Sequence, residues 1–552
     1  MDFRVRRCRQ FVSRVIASMP AGEYNRVAMN SAREDKSSVL TKANRGAVLG
    51  FILVFVAIVA VVSRAQQPAR PQKPQLVTDA TMAADQKILG EIKDHNEIMS
   101  NLEYLSDMIG PRLTGSENLR KANDWTKERF SAYGIANAHL EAWQIAHTWT
   151  RGSALGRIVS PVEHRLTLAS YAWAPGTNGA VHGRVAYVNA TSMEELQKYK
   201  GKLQGAIVIM NEPSPLPAPD EPAVNPMLVP YGDSFLLVSP PRPNERRPQY
   251  GPGIYKFGAD RAEFLKSEGI AALMVDSGKP DAPLNMTGLG GRLYGISPFP
   301  GVFATSEDYS LIWRLMKRGP VDVELNITNT IGDAPVDVYN VVAEIPGSEK
   351  PDEVVVLGGH LDSWDLGTGA TDNGTGSMVV LEAARAIQKL GIKPKRTIRF
   401  ILFSGEEQGL NGSRAYCEAH KAELPKFSAA LIHDTGTGKV LTFGLMGNYQ
   451  DLEIMQQVVA PLHAVGLLEL SERSMFGSDH NSFEGAGVPG FYGIQEPMQY
   501  FETHHSQADT FDQVNEAGVV EGAQAMAVTG YNIAQLPELL PRRPAPPPEA
   551  AH

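Results

Sequence analysis

Cysteine is nearly absent from this sequence, which has only Cys8 and Cys417 among its 552 residues. Two cysteines cannot form a disulfide framework or a thiolate zinc site, so a bound metal would need histidine and carboxylate ligands. The body of the chain also lacks a long basic run, and the formal net charge is -9, which argues against a nucleic-acid partner. With 43% hydrophobic and 20% charged residues, the composition is that of a globular protein and excludes the fibrous and disordered classes.

One long hydrophobic run is present, and it lies near the N-terminus. Residues 47–63 carry no charge, and the residues before them include ten Arg or Lys against four Asp or Glu. A basic flank followed by an apolar run predicts insertion with the N-terminus inside the cell. We therefore expect a basic leader over 1–46, a signal peptide or membrane anchor over 47–65 and a linker over 66–79. Either outcome exports the chain, as a periplasmic, secreted or membrane-anchored protein that meets the membrane only through this segment.

The remaining chain is long enough for more than one core, and its pattern changes twice. Helical periodicity gives way near Arg157 to short apolar strands, and from Asn340 buried strands alternate with helices. A Pro-rich stretch over 212–255 is predicted to be a long loop. The fold class expected is α/β, with a largely parallel mixed sheet sandwiched by helices and an inserted β-rich domain. The catalytic domain is expected in two parts, over 80–156 and 336–540, with the inserted domain over 157–335 between them. A Pro-rich disordered tail is expected over 541–552.

Potential metal ligands follow three of the predicted buried strands. EVVVLGG runs into His360 and Asp362, TIRFILFSG runs into a pair of glutamates, and SAALI runs into His433 and Asp434. Ligand sites of open α/β sheets lie beyond the carboxyl ends of the strands, so these groups are expected to converge. On an extended backbone the side chain of His433 points away from that of Asp434, which favours a packing or capping role for the histidine.

Two further segments complete the set of candidate ligands. The Gly-rich run TGATDNGTGS places Asp372 just before a helix, where helix N-capping is the alternative interpretation, and FETHHSQADT presents two adjacent histidines. A pair of divalent ions needs a bridging carboxylate, an imidazole and a carboxylate for each ion, and one carboxylate left free as base. The residues that can supply the ligands are His360, Asp372, Glu407, Asp434 and His505, which leaves Glu406 as the base.

The ordered motifs resemble those of the aminopeptidase-type di-zinc exopeptidases. The resemblance rests on IGPRLTGSENLRKA, GGHLDSWDLGTGATDNGTGSMVVLEAARAI, FSGEEQGLNGSRAY, HDTGTG and HHSQADT, and it covers about residues 80–540. The motifs GHLDSWDLGTGATDNG and HHSQADT are most similar to those of the carboxypeptidase Q branch. The family spacing H-[ST]-x-x-D-T selects His505 over His504. The resemblance also implies that the inserted domain is similar to a protease-associated domain, and it makes a homodimer possible because the family includes dimers.

The resemblance implies a role for each candidate. One ion would be bound by His360 and Asp434, the other by Glu407 and His505, with Asp372 bridging both. Glu406 would be the general acid/base, and Asp362 would orient the ligand His360. Zinc is the metal expected, although this ligand set would also accept cobalt or manganese. Asp479, His480 and Tyr500 are candidates for the substrate pocket, with a loop or packing role as the alternative.

The function expected is hydrolysis of dipeptides or short peptides from one end, through a water activated by the metal pair. The ligand set does not say which end of the peptide is read, so an aminopeptidase remains open beside a carboxypeptidase or dipeptidase. Two rival functions belong to different classes: a glutaminyl cyclase, which uses a single zinc, and a non-catalytic receptor-like binding protein. The complete set of five ligands argues against both.

Overall fold

The structure, a computed structural model, describes residues 75–215, 227–231, 234–238, 252–279, 281, 283–288, 295–498 and 500–543. The predicted leader, the apolar segment and most of the linker and tail lie outside these residues. None of the described helices has both the length and the apolar character that crossing a membrane requires.

Nineteen strands are described, and most belong to two sheets. In chain order they are β1 His139–Ile145, β2 Trp149–Thr150, β3 Ala154–Ser160, β4 His164–Leu166, β5 Leu168–Ser170, β6 Val181–Tyr187, β7 Ile207–Ile209, β8 Met227–Tyr231, β9 Ser234–Val238, β10 Ala272–Asp276, β11 Gly301–Ala304, β12 Asp322–Ile327, β13 Thr330–Ile331, β14 Val336–Ile345, β15 Lys350–His360, β16 Arg396–Phe403, β17 Phe427–Ile432, β18 Val440–Gly444 and β19 Gly490–Gln495.

The described α-helices are mostly amphipathic elements between these strands. They are α1 Asp79–His95, α2 Ile98–Glu103, α3 Glu117–Ala132, α4 Met193–Leu196, α5 Pro252–Ser267, α6 Ser306–Met316, α7 Thr375–Lys389, α8 Asn411–Ala419, α9 Leu452–Val459, α10 His480–Gly485, α11 Tyr500–Thr503 and α12 Glu516–Gln535. Helix α1 ends at His95, where the following residue Asn96 is extended and its side-chain oxygen accepts the backbone N–H of Ile98. Ser116 caps α3 by accepting the N–H of Leu119.

The larger sheet has seven strands in the order β1-β14-β16-β15-β17-β19-β18. Its four central strands, β16, β15, β17 and β19, are parallel, and the three flanking strands are antiparallel to their neighbours. The sheet is therefore mixed, with its parallel part confined to the centre.

Both faces of the larger sheet are covered, because alternate residues of its strands enter different cores. On β15, Val355 and Leu357 join the cluster built with α1, α7, α9 and α12, whereas Val354 and Val356 join the cluster built with α8 and α10. Side chains of a strand alternate between faces, so a strand buried on both faces must be apolar throughout. This is why the central strands appear in the sequence as continuous hydrophobic runs.

The strand-rich part of the chain forms the second sheet. Its eight strands have the order β4-β3-β12-β6-β7-β10-β11-β5 and pack around a separate cluster of buried side chains that includes Ile158, Ile207 and Val323. Helix α6 contributes Tyr309 and Ile312 to the same cluster. The second sheet thus has an apolar core of its own.

The prediction of a long loop over 212–255 is wrong in part. Strands β8 and β9 form an antiparallel hairpin within that stretch, and α5 begins at Pro252. The backbone N–H of Leu237 donates to the carbonyl of Leu470 at 2.8 Å, and the side chains of Leu236 and Leu237 are buried. The apolar residues between the prolines are therefore packed against the rest of the fold, although the proline content of the stretch indicated a loop.

Candidate metal centre and active site

The carboxyl ends of three adjacent parallel strands carry most of the predicted site. Strand β15 lies between β16 and β17, and it ends in His360 itself. Glu406 and Glu407 follow the end of β16, and Asp434 follows the end of β17. Because parallel neighbours end at the same edge of a sheet, their following residues meet there.

The first group of donor atoms surrounds the imidazole of His360. Its Nε2 atom lies 3.1 Å from Oδ1 of Asp434 and 3.3 Å from Oδ1 of Asp372. All three side chains are buried, and each offers one atom to a shared position. Imidazole and carboxylate donors grouped in this way suit a divalent metal ion.

The second group of donor atoms lies on the other oxygen of Asp372. Nε2 of His505 is 3.4 Å from Oδ2 of Asp372 and 2.9 Å from Oε2 of Glu407. Nε2 of His504 is 3.8 Å from the same Asp372 oxygen, and the two histidine rings stack with centroids 3.7 Å apart. Asp372 thus lies between the two groups. His504 and His505 both converge with it in the second group, and His505 is the histidine that also contacts Glu407.

The backbone beside Asp372 is held by a carboxylate that the sequence did not single out. Asp509 accepts the N–H of Thr371 at 2.6 Å and the N–H of Asp372 at 3.2 Å. The alternative interpretation of Asp372 as a helix N-cap is wrong, because α7 begins at Thr375 without a side-chain cap. The Asn373 side chain accepts the N–H of Gly376 instead, which leaves the Asp372 carboxylate free to face the histidines.

The carboxylate of Asp362 contacts the glutamate pair more directly than it contacts His360. Its carboxylate accepts the backbone N–H groups of Glu406 and Glu407 at 3.3 and 3.4 Å, and the hydroxyl of Thr114 at 3.0 Å. Nδ1 of His360 lies 2.9 Å from the backbone carbonyl of Asp362 and 3.6 Å from its carboxylate. The imidazole is therefore oriented mainly by the carbonyl.

The residues present fit divalent cations on electrostatic grounds. Oδ2 of Asp372 and Oε1 of Glu407 are buried and have no hydrogen-bond partner among the described residues. Burial raises the pKa of Glu407 well above its usual value, and the charges of Asp372, Asp362 and Asp434 reinforce this against the attraction of His360. Buried carboxylates packed together are costly unless a positive charge compensates them. A pair of cations at the two donor groups would supply that charge.

Glu406 lies at the edge of these donor groups. Its Oε2 atom is 4.0 Å from Nε2 of His360, and it belongs to neither group of converging atoms. Burial raises the pKa of Glu406 well above its usual value; His360 opposes the shift, and Asp434 and Glu407 add to it. A raised pKa favours the protonated form of the carboxyl group, which a general acid/base needs for part of its cycle.

The three candidates for the substrate pocket have different surroundings. Asp479 is buried, and burial raises its pKa to about 7, opposed by His360 and reinforced by Asp434. The Tyr500 ring lies 4.9 Å from the ring of His504. His480 instead has Nε2 3.0 Å from the carbonyl of Met475. The structure therefore places Tyr500 against His504 and buries Asp479 where the charges of His360 and Asp434 act on it, whereas His480, the first residue of α10, contacts the carbonyl of Met475 in the preceding loop.

Two residues of the quoted motifs have supporting contacts that sequence reasoning missed. The buried guanidinium of Arg112 donates to the carbonyls of Leu361 and Gly369, and also to those of Gly110 and Thr368. It therefore ties the segment before α3 to the loop between His360 and Asp372. Arg112 lies in IGPRLTG and Asp509 in HHSQADT. Both residues therefore belong to motifs that the sequence identified, although no role was assigned to either of them.

The comparisons with known proteins agree with this architecture. The model of peptidase family M28 matches residues 340–529. Carboxypeptidase Q of Bos taurus is 31% identical over 453 residues, which cover 82% of this chain and 88% of that protein. A solved peptidase M28 precursor from Shewanella amazonensis SB2B has a TM-score of 0.68 and 25% identity, covering 85% of this chain and 99% of that one. A zinc aminopeptidase from Bacillus subtilis has the same fold, with a TM-score of 0.55 and 17% identity over 79% and 94% of the two chains.

The fold and the site define a peptidase. The extent of the similarity shows that the chain belongs to peptidase family M28. The resemblance expected from the sequence motifs is confirmed.

Proposed function

We propose that this protein is a metal-dependent exopeptidase that hydrolyses dipeptides or short peptides with two divalent ions. The observation that carries the proposal is the position of Asp372 between two donor groups. Its Oδ1 lies 3.3 Å from the His360 imidazole, and its Oδ2 lies 3.4 Å from the His505 imidazole. A carboxylate that presents one oxygen to each of two donor groups is suited to bridging two ions. The similarity to carboxypeptidase Q supports an exopeptidase that acts at the carboxyl end of a peptide.

Each donor group would hold one ion. His360 and Asp434 would hold the first, Glu407 and His505 the second, and Asp372 both. Zinc suits imidazole and carboxylate ligands, and the fold is shared with a protein named as a zinc aminopeptidase; cobalt or manganese would fit the same donors. When bound, such ions would polarise the scissile carbonyl and lower the pKa of a water molecule.

Glu406 would move the proton during hydrolysis. Its carboxylate takes a proton from the attacking water and returns it to the amine that leaves when the peptide bond breaks. Burial supports this role because it raises the pKa of Glu406 and so favours the protonated form that must donate to the leaving amine. Asp362 keeps Glu406 in place through the Glu406 backbone N–H.

Substitution of the proposed base tests this function. Glu406→Gln keeps the size of the side chain but cannot accept the proton, so kcat for dipeptide hydrolysis should fall about a hundredfold to ten-thousandfold. Metal content measured on the same sample should stay unchanged, because Glu406 belongs to neither donor group. Glu418→Gln, at an exposed carboxylate paired with Lys421, is the matched control and should keep full activity. Unchanged hydrolysis by Glu406→Gln would remove this residue from the mechanism.

An aminopeptidase with the same metal site is the alternative function. The fold shared with a zinc aminopeptidase favours it, and both activities use the same ligands. Peptides blocked at the amine and peptides blocked at the carboxyl end separate the two. A carboxypeptidase should cleave the amine-blocked peptides at the C-terminal bond and spare the others, whereas the opposite preference would establish the aminopeptidase.

The proposal extends to the rest of the chain. The residues of the second sheet would form a domain of the protease-associated type inserted into the catalytic domain. The basic leader and apolar segment would export the protein, as a cleaved signal or a retained anchor. Formation of a homodimer also stays a prediction.

A further inference from the structure

Lys279 is a buried lysine that the second sheet places beside the candidate metal centre. It follows β10, and only 5% of its surface is exposed. A lysine is rarely buried without a partner for its charge, because removing an ammonium group from water is costly. Its position therefore needs an explanation.

The segment that follows Lys279 pairs with the segment that carries His505. The N–H of Met286 donates to the carbonyl of His505 at 3.0 Å, and the N–H of Gln507 donates to the carbonyl of Leu284 at 3.3 Å. Asn285 and Ser506 form a β-bridge between these bonds. The part of the chain around Lys279 is thus fixed against the histidine loop.

The ammonium group of Lys279 is only partly satisfied. Its Nζ atom donates to the carbonyl of Phe501 at 2.6 Å and lies 4.9 Å from the centre of the Phe501 ring. None of the described carboxylates forms an ion pair with it, and an ammonium group has three protons to donate. The carbonyl and the ring hold Lys279 in place but do not neutralise its charge.

The charge of Lys279 persists near neutral pH. Burial lowers its pKa to about 8, while the charges of Glu502 and Asp372 favour the protonated form. Phe501, whose carbonyl Lys279 contacts, lies three residues before His504, so the ammonium group sits against the segment that carries both candidate histidines.

We propose that Lys279 binds a carboxylate of the peptide substrate beside the metal centre. This inference rests on the proposed peptidase function and adds a determinant of specificity to it. A charged hydrogen bond from a buried lysine would favour substrates with a free carboxyl end or with an acidic side chain. Loss of such a bond commonly costs about tenfold to hundredfold in affinity.

Kinetics of Lys279→Met test the inference on three substrates: Ala-Leu, its C-terminal amide, and the amide of Ala-Glu. Lys279→Met should lower kcat/KM for Ala-Leu about tenfold or more, mainly through KM, and change the amide of Ala-Leu less than about threefold. Lys279→Arg should restore part of the loss, because it keeps the charge. A selective loss on the amide of Ala-Glu would identify a side-chain carboxylate as the group bound. If the wild-type enzyme does not cleave one of the amides, the inhibition constant of that amide is measured for wild type and variant, and the two values are compared instead.

Lys317→Met is the matched control. Lys317, in the second-sheet region, also lies over an aromatic ring, but its side chain is exposed. An equal loss on all three substrates would mean that Lys279 only anchors α11, and no loss would mean that it has no role; either result overturns the inference. If the wild type loaded with zinc cleaves none of these peptides, the proposed function fails. Calorimetric binding of Ala-Leu and its amide would still decide about Lys279, since weaker binding of Ala-Leu alone supports it and equal binding refutes it.

Discussion

The buried histidines of this protein differ in what surrounds them. Burial opposes protonation of His360, but Asp434, Asp362 and Asp372 outweigh it and raise the pKa of His360 well above its usual value. His433 and His480 have no such company, and burial lowers the pKa of each to about 4. His433 packs close to Gly522 and is not among the converging donor atoms, which agrees with the packing role expected for it.

The neutral state of His480 predicts a pH dependence of stability. Its pKa is about 4 in the folded protein and near 6.5 when unfolded, so the unfolded chain binds more protons between these values. The free energy of unfolding should therefore fall as the pH drops from 6.5 to 4, by about 3 kcal/mol from this residue. His480→Gln removes the titration, so denaturant unfolding at pH 7 and pH 4.5 should show a smaller loss in the variant. Equal losses in both proteins would contradict the assignment.

At the residue scale, the sequence identified candidate residues whose type and position alone suggest a metal-binding role. His360, Glu407 and Asp434 follow apolar strands, where a polar residue needs a reason. Arg112 and Lys279 could not be found in this way, because their roles depend on partners far along the chain. Arg112 reaches the carbonyls of the loop between His360 and Asp372, and Lys279 reaches the carbonyl of Phe501.

At the scale of elements, the pattern of apolar runs located β15, β16 and β17, three central strands that lead into the candidate site. It did not show that parallel pairing is confined to the four central strands, since an antiparallel strand buried on both faces has the same composition. It also missed the hairpin of β8 and β9, because frequent prolines hid the short apolar runs between them. The position of Asp372 before α7 was ambiguous for a related reason, since a helix start and a ligand loop favour the same residues.

At the scale of the whole molecule, the site is built by more than one sheet. The strand ends of the larger sheet supply His360, Glu406, Glu407 and Asp434. The second-sheet region supplies Lys279 and the backbone contacts that fix the loop of His505. Such a division suits a peptidase in which the reacting groups stay fixed while the surrounding region determines which peptides bind.

The metal content of protein purified without added metal tests the central claim most directly. Elemental analysis should give about two zinc ions per chain, because the donor atoms form two groups that share Asp372. Dialysis against a chelator should remove the metal and the peptidase activity together, and added zinc should restore both. A ratio near one, accompanied by cyclisation of N-terminal glutamine, would contradict the two-metal account, as would full peptidase activity in metal-free protein.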